Sequence, residues 1–436
     1  MMKKLAAVIL VLASNQMLAQ DTITLEQVFA KALDHNFQIR MLENQTEIAQ
    51  NSATIGNAGL LPSAGLNAQA GGNITDTKLE FNSPTIPATD IKGAQSVNVS
   101  AGATLNYTLF KGFSGKYTFE KLKLNAEAVD AQSRAAIEAS MLQVANAYYV
   151  LTRAIDQITI AESNVLISKQ RFDRAELANE LGTALRTELL AARVDLTTDS
   201  SNLLVAQVNK ENAERNLEQL VGTDLGENYF TQGFSVEVKD WTVEQLFEAA
   251  KVNNASLKNR ELQVEMADKD YKIAWSTVFP TVTINGGYNY SNQQNEAGII
   301  LSNTQLGFNG AVALSYPIFN GFRNQIQRQN QKITMENRSI EVEQEEMQLA
   351  TNLNNTWASY QQSLKVLNFE KSNQKSAELN LQRSEELYKA GRISSTQFRE
   401  AQTALTASQV RISNAEISVK LNELELMRLS GQILSK

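Results

Sequence analysis

The chain has no cysteine, one histidine and five prolines in 436 residues. Each scarcity removes a class of protein. Without cysteine there is no disulfide framework, no thiolate metal site and no thiol nucleophile. The same absence argues against a cysteine-linked lipid anchor at the N-terminus. His35 stands alone in the amphipathic stretch 33–39, with no second imidazole to complete a metal site or an acid–base pair, so it reads as a surface helix residue. No glycine-rich phosphate loop precedes a helix in a strand–helix unit. An enzyme is therefore not expected, nor a catalytic residue, a cofactor or a metal. After the N-terminal segment no apolar run approaches the ~20 residues of a membrane-spanning helix. The formal charge of −7 supplies no basic surface, which argues against a nucleic-acid partner. Little proline, with Ala, Leu, Gln, Asn, Glu and Ser abundant, is a composition for long helices.

The N-terminus reads as a secretory signal over residues 1–19. Lys3 and Lys4 form its basic start, Leu5 to Ala13 its short apolar core, and Met17-Leu18-Ala19 its cleavage end before Gln20. Loss of Lys3 and Lys4 takes the charge from −7 to −9. An exported chain without a spanning helix must meet any membrane through strands.

What the chain does contain, it contains twice. Thr24-Leu25-Glu26-Gln27-Val28-Phe29 returns as Thr242-Val243-Glu244-Gln245-Leu246-Phe247, and Leu60-Leu61-Pro62 as Val278-Phe279-Pro280; 242 − 24 and 280 − 62 are both 218. Leu109-Phe110-Lys111-Gly112-Phe113 returns as Ile318-Phe319-Asn320-Gly321-Phe322, and Leu220-Val221-Gly222 as Leu429-Ser430-Gly431; 318 − 109 and 429 − 220 are both 209. A period this long exceeds the ~20–50 residues of solenoid units, so the expectation is two copies of one module. The division is a signal at 1–19, repeat 1 at 20–222, a linker at 223–241, repeat 2 at 242–431 and a short tail at 432–436.

Each module begins with a helix, about 24–58 and about 242–277, ended by Pro62 or Pro280. Two strands follow, in hairpins at about 63–110 and 281–319. Val97, Val99, Ala101, Ala103, Leu105, Tyr107 and Leu109 alternate with polar or small residues. Val282, Ile284, Gly286, Tyr288 and Tyr290 do the same, and Phe308, Val312, Leu314, Tyr316 and Ile318 share a face. One apolar and one polar face fit two structures: a soluble sheet covering a core, or an outer-membrane barrel, apolar to lipid and polar to water. The signal segment and strands of about 10–14 residues favour the barrel. The aromatics Tyr107, Phe110, Tyr316 and Phe319 sit where strands meet helices, as an interfacial belt would or as simple sheet propensity would place them. Pro317 has no ladder donor and should lie near a strand end.

Residues 114–180 and 323–389 contain no proline, and their one glycine, Gly115, falls in the first turn, enough for helical rods of roughly 100 Å. Gly182 and Gly391 stop them. Return helices run to Gly222 and Gly431, the second started by a Ser394–Gln397 capping box. Phe398, Leu405, Ile412, Val419 and Leu426 recur every seven residues. Leu189, Leu196, Leu203, Lys210 and Leu217 do so in the first copy, beside a row of Ala192, Asp199, Ala206, Ala213 and Leu220. These are coiled-coil seams, with Lys210 and Asp199 as polar interruptions.

Four strands cannot close a barrel, for which about eight is the practical minimum, so a barrel requires several chains. The signal, the duplication, the Leu-Pro helix end, the strands ending in Leu-Phe-x-Gly-Phe and the glycine tips together resemble the TolC-like outer-membrane efflux proteins. The resemblance covers essentially the whole mature chain. It implies an α+β membrane protein: a homotrimer whose 12-stranded outer-membrane barrel, four strands per chain, continues into a long periplasmic α-helical coiled-coil barrel. It implies the exit duct of a tripartite efflux or type I secretion system, with a periplasmic adaptor and an inner-membrane pump as partners and outer-membrane lipid around the barrel. It places acidic pore rings just after the second tip, where this chain has Gln397 and Glu400, with Glu188 as a first-repeat counterpart. Glu400 reads equally as a solvated face of a coiled coil. The resemblance assigns adaptor docking to Leu181, Gly182, Thr183 and Ala184 and to Ala390, Gly391, Arg392 and Ile393. The competing class is a periplasmic coiled-coil scaffold or adaptor without a barrel.

Overall fold

The structure, a computed structural model, describes residues 22–82, 85–183, 185–226, 230–231, 233, 236–298 and 300–434. The expected signal segment and the tip residue Ala184 lie outside the described residues. Helices α1 (Leu25–His35) and α2 (Phe37–Ser52) are followed by strands β2 (Ser63–Leu79) and β3 (Thr89–Lys111), and these by helices α3 (Ser114–Glu180) and α4 (Arg186–Val221). Then come α5 (Val243–Asn253), α6 (Ala255–Ser276), β5 (Thr281–Asn295), β6 (Ser302–Ser315), α7 (Arg323–Lys389) and α8 (Ser395–Leu429). Short strands β1 (Thr22–Ile23) and β4 (Phe230–Thr231) pair in parallel. The chain packs as two compact units. One takes Met1–Gln45, Ala131–Lys258 and Gln344–Lys436; the other takes Thr46–Asp130 and Asn259–Glu343. Each unit draws on both halves of the sequence.

The first unit is helical. Its core gathers Val28 and Ala32 of α1, Ile39 of α2, Met141, Val144, Tyr148 and Leu151 of α3, and Leu217 and Val221 of α4. The Tyr148 hydroxyl donates to the Ile23 carbonyl at 3.0 Å, so the largest buried ring leaves no polar atom unpaired. The single initial helices expected from periodicity are each broken, at Asn36 and at Asn254. There the backbone turns extended (ψ 125° and 117°). The Asn36 side-chain oxygen accepts from the Ile39 N–H, and that of Asn254 from the Leu257 N–H, both at 3.0 Å. Their amide nitrogens donate to the carbonyls of Leu220 (2.5 Å) and Leu429 (2.9 Å) at the far ends of α4 and α8. One asparagine thus starts one helix and satisfies the end of another, a stronger use of its side chain than a mid-helix position offers. Thr24 with Gln27, Thr242 with Gln245 and Ser394 with Gln397 form reciprocal capping boxes.

The second unit holds a four-stranded antiparallel sheet in the order β2-β3-β5-β6. Its register separates two chemistries. Leu66, Ala103, Tyr288 and Phe308 lie in one cross-strand row, and Ala68, Ala101, Tyr290 and Leu306 in another. The alternate rows are Asn67, Gly102, Asn289 and Gly307, then Gln69, Ser100, Ser291 and Gln305. On that second face Asn289 donates to Asn309 at 2.6 Å. The apolar face is uncovered: Leu66 is 89% exposed, Phe308 88% and Val312 72%. β2 and β3 are longer than expected because pairing continues beyond the apolar band, through a bulge at Gly93 (φ 68°) whose N–H donates to Asp76 at 2.8 Å. Conversely, β6 stops at Ser315 rather than near 319, since Pro317 has no N–H to give the ladder.

Gly112 and Phe113, directly after β3, and Gly321 and Phe322, directly before α7, have consecutive positive φ. For a phenylalanine this region costs on the order of 1–3 kcal/mol.

Candidate functional site

The functional residues expected from sequence lie at the helix tips of the first unit. α3 and α7 end in the same backbone motif. Thr183 N–H donates to the Ala178 carbonyl and Arg392 N–H to the Leu387 carbonyl, both at 2.8 Å, with Gly182 (φ 72°) and Gly391 (φ 69°) as the left-handed residues. This is the six-to-one bond of a Schellman stop, so both turns are ordered. Leu181, Gly182, Thr183, Ala390, Gly391 and Arg392 are exposed and Ile393 is half-buried. A Cβ at Gly182 or Gly391 would meet nothing within 4 Å.

Glu400 and Gln397 stand one turn apart near the start of α8, both exposed. They differ in freedom. The Gln397 side-chain oxygen accepts from the Ser394 N–H at 3.0 Å as half of the capping box, while no ion pair engages the Glu400 carboxylate among the described residues. Glu188 is exposed in the first turn of α4, where a carboxylate complements the helix dipole. Each of the three is thus open to solvent, and Glu400 is the one whose charge is least committed elsewhere.

Sequence reasoning treated Asp199 only as a flaw in the seam. It is instead the centre of a buried network. Asp199 is 3% exposed, and Arg399 grips it with two bonds, at 2.6 and 2.7 Å. The Ser168 hydroxyl donates to the same carboxylate. Arg399 also meets the Gln402 side chain at 3.2 Å, and Gln402 donates to Asn164 at 3.1 Å. Hydrogen bonding to Asp199 raises the Arg399 pKa further above its usual value. Closer to the tips, Arg171 is 4% exposed; it pairs with Asp195 at 3.0 Å and donates to the Ser395 hydroxyl at 2.6 Å. The Tyr388 and Phe398 rings stack at 5.1 Å beside it. The network ties α3 and α4 to α8, the helix that carries Glu400. Its only signal in the sequence was Asp199 and Arg399, one charge of each sign near buried seam positions of different helices.

The long helices also carry apolar residues that nothing covers. Ile326, Ile333, Ile340 and Met347 of α7 recur every seven residues and are all exposed, as are Leu190, Val194, Leu204 and Val208 of α4. Among the described residues no helix is long and apolar enough to cross a membrane, and no cluster of three His, Asp or Glu side chains would hold a metal ion.

A family model described as outer membrane efflux protein matches residues 28–223 and 246–432. The chain belongs to that family. "Outer membrane protein TolC" of Vibrio cholerae is 23% identical over 300 residues, 68% of this chain and 65% of that protein, so the match spans just under two thirds of the relative. Among solved structures, the CmeC outer membrane channel of Campylobacter jejuni superposes with a TM-score of 0.74 at 16% identity, over 94% of this chain and 86% of that one. CusC, described as forming a transmembrane channel, gives 0.73 at 20% identity, over 93% and 92%. These structures share the fold. Membership places the protein in the outer membrane, in efflux transport, with barrel strands and coiled-coil helices. The uncovered apolar face of the sheet is then the face toward lipid.

Proposed function

We propose that three copies of this chain assemble into a continuous exit duct, which receives cargo from an inner-membrane pump through a periplasmic adaptor and releases it outside. The sheet carries this reading: one chain leaves an apolar face uncovered and, among the described residues, the outer edges of β2 and β6 unpaired. Unpaired edges are untenable in lipid, because each free N–H and C=O there costs several kcal/mol. β2 and β6 run in opposite directions, so β6 of one copy can pair with β2 of the next, and three copies supply twelve strands. The seven-residue stripe on α7 fits a helix–helix contact between copies. The shared order of elements in the two halves supports a duplicated module, each half contributing one hairpin and one tip.

A periplasmic scaffold without a barrel would leave Leu66, Leu306, Phe308, Val312 and Leu314 in water, forgoing about 1.5–3 kcal/mol for each side chain that burial would return. Native mass spectrometry from detergent should give three chains per particle, and unheated gel samples should migrate differently from boiled ones. A monodisperse, surfactant-free monomer with its full sheet content would end the duct reading.

Within this duct Glu400 supplies a carboxylate ring at the constriction, with Glu188 in support and Gln397 a neutral neighbour held by its cap. Glu400→Ala is expected to weaken cation preference and Mg²⁺ block in planar bilayers; unchanged conductance and block would take Glu400 out of the pore. The two tips serve as docking turns for the adaptor. Because a side chain at Gly182 or Gly391 meets no neighbour, bulky substitutions there carry only the left-handed backbone cost of about 1–2 kcal/mol, and should leave assembly intact and uncouple transport in cells. Normal transport by the double variant would remove the tips from docking. Export through an efflux pump and export through a type I secretion pump both fit this geometry.

A further inference from the structure

Arg171 is buried, at 4% exposure, yet only one nitrogen of its guanidinium is satisfied. Nη2 reaches Asp195 at 3.0 Å and donates to the Ser395 hydroxyl at 2.6 Å. Nε and Nη1 have no hydrogen-bond partner among the described residues. Nε carries one N–H and Nη1 two, so more than half of the donors on a buried charge are unmade bonds. That is a costly arrangement, and it calls for an acceptor. The same side chain forms part of the wall of a cavity of about 140 Å³ between α3, α7 and α8.

The wall combines two chemistries. Ile167, Leu381 and the Tyr388 and Phe398 rings give it apolar surface, while Arg174 and Lys389 join Arg171 as cations. The two rings stack in parallel, with centroids 5.1 Å apart and planes 3° from parallel. Arg174 lies over Tyr388 at 5.0 Å and Arg171 over Phe398 at 6.0 Å, so each ring holds one guanidinium at the wall. The neighbouring carboxylates do not balance these charges. Asp195 is shared between Arg171 and Arg399, Asp199 is held by Arg399, and Glu385 pairs with Lys389. Arg174 engages no carboxylate among the described residues; it donates to the Lys389 carbonyl at 3.1 Å. Four cations thus meet three carboxylates, and one positive charge is left over.

We infer that this cavity is a binding site for a small organic anion, a single aromatic ring bearing one carboxylate. The carboxylate accepts charge-assisted bonds from Arg171 and Arg174, and the ring packs against Ile167, Leu381 and the stacked aromatics. Volume sets the size, since a cavity of ~150 Å³ takes one benzene-sized molecule. The surplus charge sets the valence. Inorganic phosphate would leave the apolar wall unfilled, and a neutral ring would leave the guanidinium unpaired. A ligand held between three helices stabilises the folded unit in proportion to its occupancy. Every lining residue belongs to one chain, so the site does not depend on three copies assembling.

Titration calorimetry and thermal melts of the full chain in detergent, at constant ionic strength, test the assignment with benzoate, benzamide and inorganic phosphate. Benzoate should bind and raise the melting temperature. Benzamide, nearly the same shape without the charge, should bind about tenfold more weakly or worse, and so should phosphate. Equal affinity for benzoate and benzamide would overturn the anion site. Phosphate as tight as benzoate would overturn the aromatic class, and millimolar benzoate without heat or melting shift would overturn both. Two variants locate the site while leaving the Arg171–Asp195 pair intact. Arg174→Gln removes an exposed cation, and Leu381→Trp fills the cavity. Each should melt as the parent does without ligand and lose about tenfold in benzoate affinity. Benzoate affinity unchanged in Arg174→Gln would place the ligand elsewhere and end the proposal, even if Leu381→Trp failed to fold.

Discussion

Replacing Arg399 with leucine is expected to destabilise the helical unit by about 3–5 kcal/mol, the usual cost of leaving one partner of a buried ion pair alone. Asp199 would keep only the Ser168 hydroxyl, while remaining buried at 3% exposure. Desolvation of a carboxylate that has lost its direct ion-pair partner then opposes folding. The double variant Asp199→Leu, Arg399→Met should recover most of the loss, because replacing both charges with apolar groups of similar size removes the desolvation penalty along with the attraction. Urea unfolding in detergent, read by circular dichroism as a double-mutant cycle, measures the coupling. Additive single effects would show that the two bonds at 2.6 and 2.7 Å are not coupled in solution. In bilayers the Arg399 variant should also conduct more than the parent, since α8 loses its tie to α3 and α4 beside Glu400. Unchanged conductance would separate the network from the pore.

The second large effect is expected at Gly431. An alanine Cβ there would lie 2.4 Å from the Asn253 carbonyl oxygen and 2.6 Å from its carbon, at a φ of 69°. The obstacle is backbone, so no rotamer relieves it. A left-handed alanine costs about 1–2 kcal/mol and the overlap about 1–3 more, for a total of about 2–5 kcal/mol. The displaced segment is the junction where Asn254 bonds the Leu429 carbonyl, so a cap is disturbed as well. Gly222→Ala should behave alike, its Cβ falling 2.4 Å from the His35 carbonyl oxygen. Gly391→Ala is the control: φ is again 69°, but no atom lies within 4 Å, so only the left-handed cost of about 1–2 kcal/mol remains. Equal losses at 431 and 391 in thermal melts would show that the junction yields.

Helix and strand placement was legible because it follows local rules. The proline-free span after Gly112-Phe113, with Gly115 in its first turn as its one glycine, predicted a helix over 114–180, and α3 is Ser114–Glu180. Ser394 and Gln397 read as a capping box, and both bonds are present. The breaks at Asn36 and Asn254 were not legible. An asparagine within an amphipathic run is ambiguous until the carbonyl it caps, more than 170 residues away, is known. The site was half legible for the same reason. Glu400 and the tip glycines are marked by position in a repeat, whereas the partner of Asp199 lies 200 residues away.

The amino-acid sequence by itself determined which face of each strand is apolar, where the long helices stop and that one chain has too few strands to enclose a pore. These depend on side-chain period and on the backbone freedom of glycine and proline, which act over a few residues. Only the tertiary structure decided that Asp199 is a buried ion-pair partner rather than a seam defect, and that Phe113 and Phe322 are strained yet exposed. Both depend on which distant atoms exclude water from a group, and burial is a property of the packed chain rather than of any segment.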